Sequence, residues 1–204
     1  KEKERKRREG RAFVVQWFPL RQMSDKKKKK QDEKRDLPEK LIGVILGGGG
    51  VGKTSVLLRF LNGTFETEYD PTIEDTYLKQ IVLEDGQQHT LEILDTAGGG
   101  EYTIFRDQLI RNGVFFIVVF SINSRWTFEE VESFVEQIER YKDDDFHKVV
   151  IVGNKKDLDD KENPKSYEKR EVSTREVADW ARYKGLPYRE VSALNGEGVE
   201  EMFL

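Results

Sequence analysis

The amino-acid sequence of 204 residues predicts an α/β fold, a three-layer α/β/α sandwich on a six-stranded, mostly parallel sheet. Three observations predict it. Short, uninterrupted apolar runs recur along the chain, as is typical of parallel strands that are buried on both faces. Segments with helical apolar spacing or helix-capping patterns separate these runs. One pair of apolar segments flanks a short polar turn, which predicts a hairpin and therefore one antiparallel strand.

The first half of the chain provides a strand, a helix and the hairpin. Residues 41–46 form an apolar run that ends in glycines, which predicts a buried parallel strand. Residues 55–61 have helical apolar spacing, and Asn62-Gly63 marks the end of that helix. Residues 80–83 and 90–94 lie on either side of a polar turn and together predict the hairpin.

The second half alternates between strands and helices. The apolar runs at residues 114–120 and 149–152 predict two more buried strands, and residues 188–191 predict the last strand. Helices are predicted to begin at Thr127 and at Ser173, because each is followed three residues later by a glutamate, the pattern of a capping box. This alternation predicts a mostly parallel sheet with helices on both faces.

The composition excludes several classes of protein. The chain is 36% hydrophobic and 36% charged, and it has no cysteine. The absence of cysteine excludes disulfides, cysteine-ligated zinc, a thiol nucleophile and lipid attachment to cysteine within these residues. No apolar run approaches the ~20 residues of a membrane-spanning helix. We therefore expect a cytoplasmic protein, with the inner face of a membrane left open as its location.

Charge divides the chain into two parts. Residues 1–40 contain 16 Lys and Arg against 8 Asp and Glu, whereas the remainder contains 19 basic and 31 acidic residues. We expect a disordered extension at residues 1–39, here called the basic arm, and one folded domain at residues 40–204. A contact of the arm with an anionic membrane surface stays open, as does nuclear targeting. Nucleic-acid binding is not expected, because no basic sheet or helix motif supports it.

Both termini leave questions open. The first methionine is Met23, so residues 1–22 are either an upstream extension or part of a chain whose natural start is missing. The chain stops about two turns into the expected last helix, which we expect to cover one face of the sheet. We therefore expect the natural protein to continue, and a lipid-bearing tail is one form that such a continuation could take.

A glycine-rich segment between the first strand and the first helix fits the pattern G-x-x-x-x-G-K-[ST]. Its backbone N–H groups and the helix N-terminus can surround phosphates, its lysine adds positive charge between the β- and γ-phosphates, and its hydroxyl can bind Mg²⁺. The segment predicts a nucleoside triphosphate site and a P-loop NTPase. We call residues 47–54 the phosphate loop. The predicted phosphate-binding residues are Gly47, Gly48, Gly49, Gly50, Val51, Gly52, Lys53, Thr54 and Ser55.

The sequence Asn154-Lys155-Lys156-Asp157 predicts which base is bound. It follows directly after the strand at residues 149–152. The carboxylate of Asp157 can accept two hydrogen bonds from the N1–H and N2 amine of guanine. Adenine has no such pair of donors, so a buried carboxylate would be left unpaired. The motif therefore favours guanine and argues against an ATP-using kinase or ATPase.

Together these motifs resemble those of the Ras-type small GTPases, and of the Ras and Rap branch in particular. The segments that carry the resemblance are residues 47–54, 69–77, 95–98, 106–111, 154–157 and 192–193. They occur in family order and cover about residues 40–204. The resemblance implies a molecular switch that binds GTP or GDP with Mg²⁺. It also implies effector proteins that bind the segment from Tyr69 to Tyr77, a GTPase-activating protein and an exchange factor.

The resemblance implies a role for each residue near the phosphates. Thr72 would sense the γ-phosphate, Tyr69 would close over the phosphates, and the N–H of Gly98 would touch the γ-phosphate. The implied Mg²⁺ ligands are Thr54, Thr72 and Asp95. The residues implied for catalysis are Lys53, Thr72 and Gly98.

The resemblance also implies a pocket for guanine. Phe65 would stack on the base, the side-chain stem of Lys155 would lie along its plane, and the N–H of Ala193 would meet O6. Leu194 stands where many members have lysine, and an apolar contact can replace the lysine stem. The implied base-binding residues are Phe65, Asn154, Lys155, Asp157, Leu158, Ser192, Ala193 and Leu194.

One departure from the family pattern bears on catalysis. Members of the Ras branch usually have glutamine directly after Asp-Thr-Ala-Gly, whereas this chain has Gly99. Glycine has no side chain to orient the attacking water, and phosphoryl transfer depends almost entirely on positioning and electrostatics. We therefore expect slow intrinsic hydrolysis. Two further interpretations stay open: a GTP-held signalling scaffold with negligible hydrolysis, and an activating partner that supplies the missing side chain.

Overall fold

The computed structural model describes residues 14–15, 40–65, 74–83, 86–96, 98, 103–142, 148–160 and 169–203. The strands in chain order are β1 (Val14–Val15), β2 (Lys40–Leu46), β3 (Glu74–Leu83), β4 (Gln88–Thr96), β5 (Phe115–Ser121), β6 (Lys148–Asn154) and β7 (Tyr188–Glu190). The α-helices are α1 (Lys53–Asn62), α2 (Thr103–Asn112), α3 (Arg125–Tyr141), α4 (Thr174–Lys184) and α5 (Val199–Phe203), and Lys156–Asp159 forms a 3₁₀ turn. Within these ranges, no helix combines the length and the apolar character needed to cross a membrane.

The strands of the described residues form one sheet in the order β1-β3-β4-β2-β5-β6-β7. Neighbouring strands run parallel except β3 and β4, which form the predicted antiparallel hairpin. The predicted six-stranded, mostly parallel sheet is therefore confirmed for β2 to β7. No sequence pattern predicts β1, a two-residue edge strand within the basic arm that pairs Val14 with Val82 and Val15 with Leu83.

Helices cover both faces of the sheet and bury two separate apolar clusters. Successive side chains of a strand point to opposite faces. In β5, Phe115 and Ile117 pack into a cluster with α1 and α5, whereas Phe116 and Val118 pack into a cluster with α2, α3 and α4. All seven residues of β5 are buried, as expected of a central strand in a three-layer sandwich.

The two predicted capping boxes have different outcomes. Ser173 is the N-cap of α4 and accepts a hydrogen bond from the N–H of Glu176 at 3.3 Å, as predicted. The prediction that a helix begins at Thr127 was wrong, because α3 begins at Arg125 with Ser124 as its N-cap. The buried hydroxyl of Thr127 instead accepts from the N–H of Ser121 and donates to the carbonyl of Ser124. The side chain thus closes the turn between β5 and α3 rather than starting the helix.

The parallel arrangement brings the chemically distinctive segments to one edge of the sheet. The strands β2 and β7 lead into the phosphate loop and the Ser192-Ala193 segment, while β4 ends with Asp95-Thr96 and β6 ends with Asn154. Ligands of open α/β sheets bind at this edge. The fold therefore positions the predicted phosphate-binding and base-reading residues next to each other.

Candidate nucleotide-binding site

The phosphate loop joins β2 to the first turn of α1. Gly52 is the N-cap of this helix and has a φ of 90°, a left-handed conformation that side-chain-bearing residues rarely adopt. The side chain of Lys53 is only 6% exposed, and its ammonium donates to the carbonyls of Gly47 at 3.0 Å and Gly48 at 2.9 Å. Burial lowers the pKa of Lys53 to about 8, although the charge of Asp95 opposes this effect. The predicted phosphate-binding lysine is thus held inside its own loop.

Thr54 and Asp95 meet at the end of β4. The hydroxyl of Thr54 donates to Oδ2 of Asp95 at 2.6 Å, across 41 residues of sequence. Asp95 is fully buried, and its Oδ1 has no hydrogen-bond partner among the described residues. Burial raises the pKa of Asp95, while the hydrogen bond from Thr54 and the charge of Lys53 act in the opposite direction.

This pair fits a Mg²⁺ ion. Mg²⁺ prefers oxygen ligands and usually keeps several waters, so a buried carboxylate oxygen with unused acceptor capacity suits it directly or through water. The described residues hold no cluster of three or more His, Cys, Asp or Glu side chains placed for a metal, so the fit depends on Thr54 and Asp95. The third implied ligand, Thr72, lies outside the described residues.

Gly98 lies directly against the phosphate loop. A Cβ atom at this position would lie 2.5 Å from the N and Cα atoms of Gly49 and 2.6 Å from the carbonyl carbon of Gly48. A real Cβ essentially never comes this close to other atoms, so any side chain would push the two segments apart. The segment after β4 and the phosphate loop are therefore in backbone contact. Gly99 lies outside the described residues.

Asn154 joins the base-reading segment to the phosphate loop. Its side chain is buried, and Nδ2 donates to the carbonyl of Val51 at 2.8 Å. Its Oδ1 accepts from the N–H of Ala193 at 3.1 Å. One side chain therefore connects β6, the phosphate loop and the segment after β7. Because the N–H of Ala193 is bound to Asn154 here, its contact with guanine stays a prediction.

Asp157 is oriented by Ser192. The buried hydroxyl of Ser192 donates to Oδ1 of Asp157 at 2.6 Å and accepts from the N–H of Asn195 at 3.3 Å. Lys155, two residues before Asp157, has a φ of 71° and is the one non-glycine residue of the described part with a positive φ. Such a conformation is costly for a residue with a Cβ atom and often occurs at functional sites.

The remaining predicted residues are found at the edges of the site or outside the described part. Phe65 is half-buried and packs against the cluster formed with α1 and α5, and Ser55 is half-buried in α1. Leu158 is buried in the 3₁₀ turn, whereas Leu194 is 43% exposed. Tyr69, like Thr72, belongs to a segment that is not among the described residues.

Sequence reasoning missed an arginine that connects the segments around the base. Arg170 donates to the carboxylates of Asp159 and Glu190 and, at 2.9 Å, to the carbonyl of Val172. The hydroxyl of Tyr188 also donates to Glu190, at 2.5 Å. These contacts connect the 3₁₀ turn that contains Asp157 with the end of β7. No short motif predicts them, because Arg170 follows a polar stretch of ordinary loop composition.

A second arginine was also missed. Arg59, in the last turn of α1, donates hydrogen bonds to three main-chain carbonyls, those of Gly63, Ala193 and Leu194. Two of these acceptors lie 134 and 135 residues away in sequence. Arginine in the last turn of a helix is common because it interacts favourably with the helix dipole, so its identity alone indicates no site.

These contacts define a class of protein. A glycine-rich loop at a helix N-terminus, a hydroxyl–carboxylate pair that fits Mg²⁺ and a joined Asn-Lys-x-Asp segment are the parts of a small GTPase. A sequence model of the Ras family matches residues 42–204, which is most of the chain. The chain belongs to the Ras family, and it is therefore a small GTPase that binds guanine nucleotide and acts as a switch.

Proposed function

We propose that this protein is a molecular switch of the Ras and Rap branch. It binds GTP and GDP with Mg²⁺, hydrolyses GTP slowly and presents residues 69–77 to effector proteins. The observation that carries this proposal is the side chain of Asn154, which joins the phosphate loop to the base-reading segment through Val51 and Ala193. A site connected in this way recognises base and phosphates as one ligand.

The phosphate end supplies charge and backbone donors. Lys53 is the cation expected beside the β- and γ-phosphates. A phosphate next to it would raise its pKa from the lowered value, because a negative charge stabilises the protonated ammonium. Thr54, Asp95 and Thr72 would hold Mg²⁺, which would supply positive charge to neutralise the phosphate oxygens. The N–H of Gly98 would donate to the γ-phosphate, and loss of that phosphate would release the segments that contain Thr72 and Gly98.

Hydrolysis is proposed to be slow because Gly99 cannot orient water. Gly99→Gln should increase the single-turnover rate of GTP hydrolysis by about 10- to 100-fold, the range expected from correct positioning of one reactant. The affinity for GDP serves as the control and should not change. An unchanged hydrolysis rate in the Gly99→Gln variant would contradict the assignment of slow hydrolysis to this position.

The GTP-held scaffold is the second candidate, and Gly99 is the observation that favours it. The nucleotide that co-purifies with the protein separates the candidates when it is identified by chromatography after denaturation. Mostly GDP supports the cycling switch, and mostly GTP supports the scaffold. A folded sample without guanine nucleotide would contradict both.

Recognition of guanine is proposed to depend on Asp157. Asp157→Asn should shift nucleotide preference toward xanthosine diphosphate, because the amide can donate to the O2 atom of xanthine. Asp160→Asn, an exposed aspartate three residues further on, is the matched control and should retain the preference for GDP. An Asp157→Asn variant with unchanged preference would remove the assignment of the base reader.

Protein partners are proposed to bind at the segment that leads into β3. The side chains of Asp75 and Thr76 at the start of this strand are exposed, which supports contact with an effector. A GTPase-activating protein and an exchange factor would control the nucleotide state, and the basic arm would contact an anionic membrane surface. The proposed protein is a monomer.

A further inference from the structure

The guanidinium of Arg59 connects the end of α1, which leads to Phe65, with the segment that contains Ala193 and Leu194. Its Nε donates to the carbonyl of Ala193 at 2.8 Å, and one terminal nitrogen donates to the carbonyl of Leu194. The other terminal nitrogen donates to the carbonyl of Gly63 at 2.9 Å. In each contact the positively charged guanidinium donates to a neutral main-chain carbonyl. The contacts are therefore charge-assisted hydrogen bonds.

Arg59 holds Gly63 through both of its main-chain polar groups. Gly63 ends α1 in a left-handed conformation with a φ of 68°, and its N–H donates to the carbonyl of Arg59 at 2.9 Å. The side chain of Arg59 binds the carbonyl of the same glycine. The chain direction after α1 is thereby set two residues before Phe65, the residue expected to stack on the base.

The second segment is a tight turn after β7. The N–H of Gly196 donates to the carbonyl of Ser192 at 2.8 Å, and this bond closes the turn that contains Ala193 and Leu194. The hydroxyl of Ser192 in turn holds Asp157. Arg59 therefore contacts the two residues next to the serine that orients the proposed guanine reader.

We propose that Arg59 is a positioning residue for guanine. It fixes the Phe65 segment relative to the Ala193–Leu194 turn and, through Ser192, limits the orientations of the Asp157 carboxylate. A planar guanidinium with its donors in fixed directions can reach three carbonyls at once, whereas a lysine ammonium on a flexible stem cannot reproduce that geometry. This inference rests on the proposed function, because it concerns the same guanine site.

Two measurements on the full chain test this inference. The first is the release rate of fluorescently labelled GDP. The second is the preference for GDP over inosine diphosphate, which lacks the N2 amine that Asp157 reads, measured by competition. Arg59→Ala should release GDP roughly tenfold faster or more, because charge-assisted hydrogen bonds are lost. Its preference for GDP over inosine diphosphate should fall several-fold, since the orientation of Asp157 is loosened. Arg59→Lys should recover only part of both effects.

Arg182→Ala is the matched control. Arg182 is an exposed arginine near the end of α4 that contacts Asp179 on its own helix, and this variant should behave like the wild type. Equal weakening of both nucleotides by Arg59→Ala, with the preference unchanged, would show a merely structural role and overturn the inference. Wild-type release and preference in Arg59→Ala would overturn it too. If Arg59→Ala does not fold, Arg59→Lys and Arg59→Gln provide the same comparison.

The controls also separate this inference from the function on which it rests. A wild-type chain that binds no guanine nucleotide would overturn the proposed function and this inference with it. A wild-type chain that binds and discriminates GDP, together with Arg59 variants that do the same, would overturn only the role of Arg59.

Discussion

The two ends of the nucleotide site are built differently. At the phosphate end, main-chain carbonyls of the phosphate loop accept hydrogen bonds from the loop's own Lys53, and Gly98 packs against the loop backbone without room for a side chain. At the base end, separate segments are joined by side-chain hydrogen bonds from residues such as Asn154 and Ser192. The phosphate end therefore depends mainly on available space, and the base end mainly on satisfied polar groups. Substitutions at the two ends should therefore weaken the site for different reasons: lack of space at the phosphate end and unsatisfied polar groups at the base end.

The largest effect is expected where the two ends meet. Asn154→Ala removes the partner of the Val51 carbonyl and of the Ala193 N–H, both of which are buried. Without this side chain the phosphate loop and the segment after β7 are no longer held in one arrangement, so the affinity for GDP should fall by about 100-fold, the equivalent of about 2.7 kcal/mol. Isothermal titration of GDP into the variant and the wild type measures this loss.

Asn112→Ala is the control, because Asn112 is an exposed residue at the end of α2. Its affinity for GDP should match that of the wild type. If Asn154→Ala bound GDP as tightly as the wild type, the hydrogen bonds of Asn154 would not contribute to nucleotide binding.

The next largest effect is expected at the phosphate end, where Gly98 leaves no room for a side chain. Gly98→Ala places a Cβ atom 2.5 Å from the backbone of Gly49, so the loop must move. Such overpacking typically costs about 1–3 kcal/mol, which should appear as a lower denaturation midpoint of the nucleotide-bound protein. Gly49→Ala is the matched control for stability, because the nearest atom to its Cβ, the carbonyl oxygen of Gly98, is 4.0 Å away. Equal losses in the two variants would contradict the close contact described for Gly98.

A smaller, pH-dependent effect is expected at the base end. Burial alone raises the pKa of Glu190, but hydrogen bonds from Arg170 and Tyr188 outweigh it and the pKa is lowered. A lowered pKa in the folded state contributes stability above the unfolded value of about 4.3 and loses it as pH falls through the folded pKa. The wild type should therefore exceed Glu190→Gln in stability at pH 7, and the gap should narrow below about pH 5.

Urea denaturation midpoints at pH 7, 5 and 4 measure this gap. Glu136→Gln, an exposed glutamate on α3, is the control for loss of one charge and should show no comparable narrowing. A gap between the wild type and Glu190→Gln that widened on acidification would show that the sign assigned to Glu190 is wrong.

The smallest effect is expected from an ion pair that is close to the base but exposed. The ammonium of Lys156 lies 2.5 Å from Glu197, and the two side chains are 37% and 51% exposed. Exposed pairs contribute about 0–1 kcal/mol, so Lys156→Ala should leave both the denaturation midpoint and the GDP release rate nearly unchanged. A large increase in release would show that proximity to the base, rather than burial, decides which contacts matter there.

Local patterns predicted most of the fold. The apolar runs of β2, β5 and β6 and the hairpin of β3 and β4 are continuous in sequence, and each was found close to the predicted residues. The phosphate loop was also predictable, because its chemistry is contained in consecutive residues. Thr127 was misplaced because the sequence pattern of a capping box also arises within the first turn of a helix that already begins after Ser124. The pairing of β1 with β3 lacks a comparable signal, since only two residues take part.

The connections at the base end could not be predicted. The family resemblance named Asn154, Asp157 and Ser192, but not which atoms bind each other. Arg59 reaches acceptors more than a hundred residues away, and those acceptors are main-chain carbonyls that carry no side-chain signature. Hydrogen bonds of this kind depend on how loops meet after the sheet has formed, so one-dimensional patterns do not contain them.

The left-handed backbone conformation of Lys155 lowers the stability of the fold at a position whose side chain is expected to contact the base. A lysine with a φ of 71° bears a backbone cost of roughly 1–2 kcal/mol that glycine would not have. Its side-chain stem is the part expected to lie along the base. A laboratory evolution experiment that selected only for heat resistance would therefore favour glycine at this position and erode nucleotide binding. Lysine at this position would therefore serve the ligand at a cost to the stability of the fold.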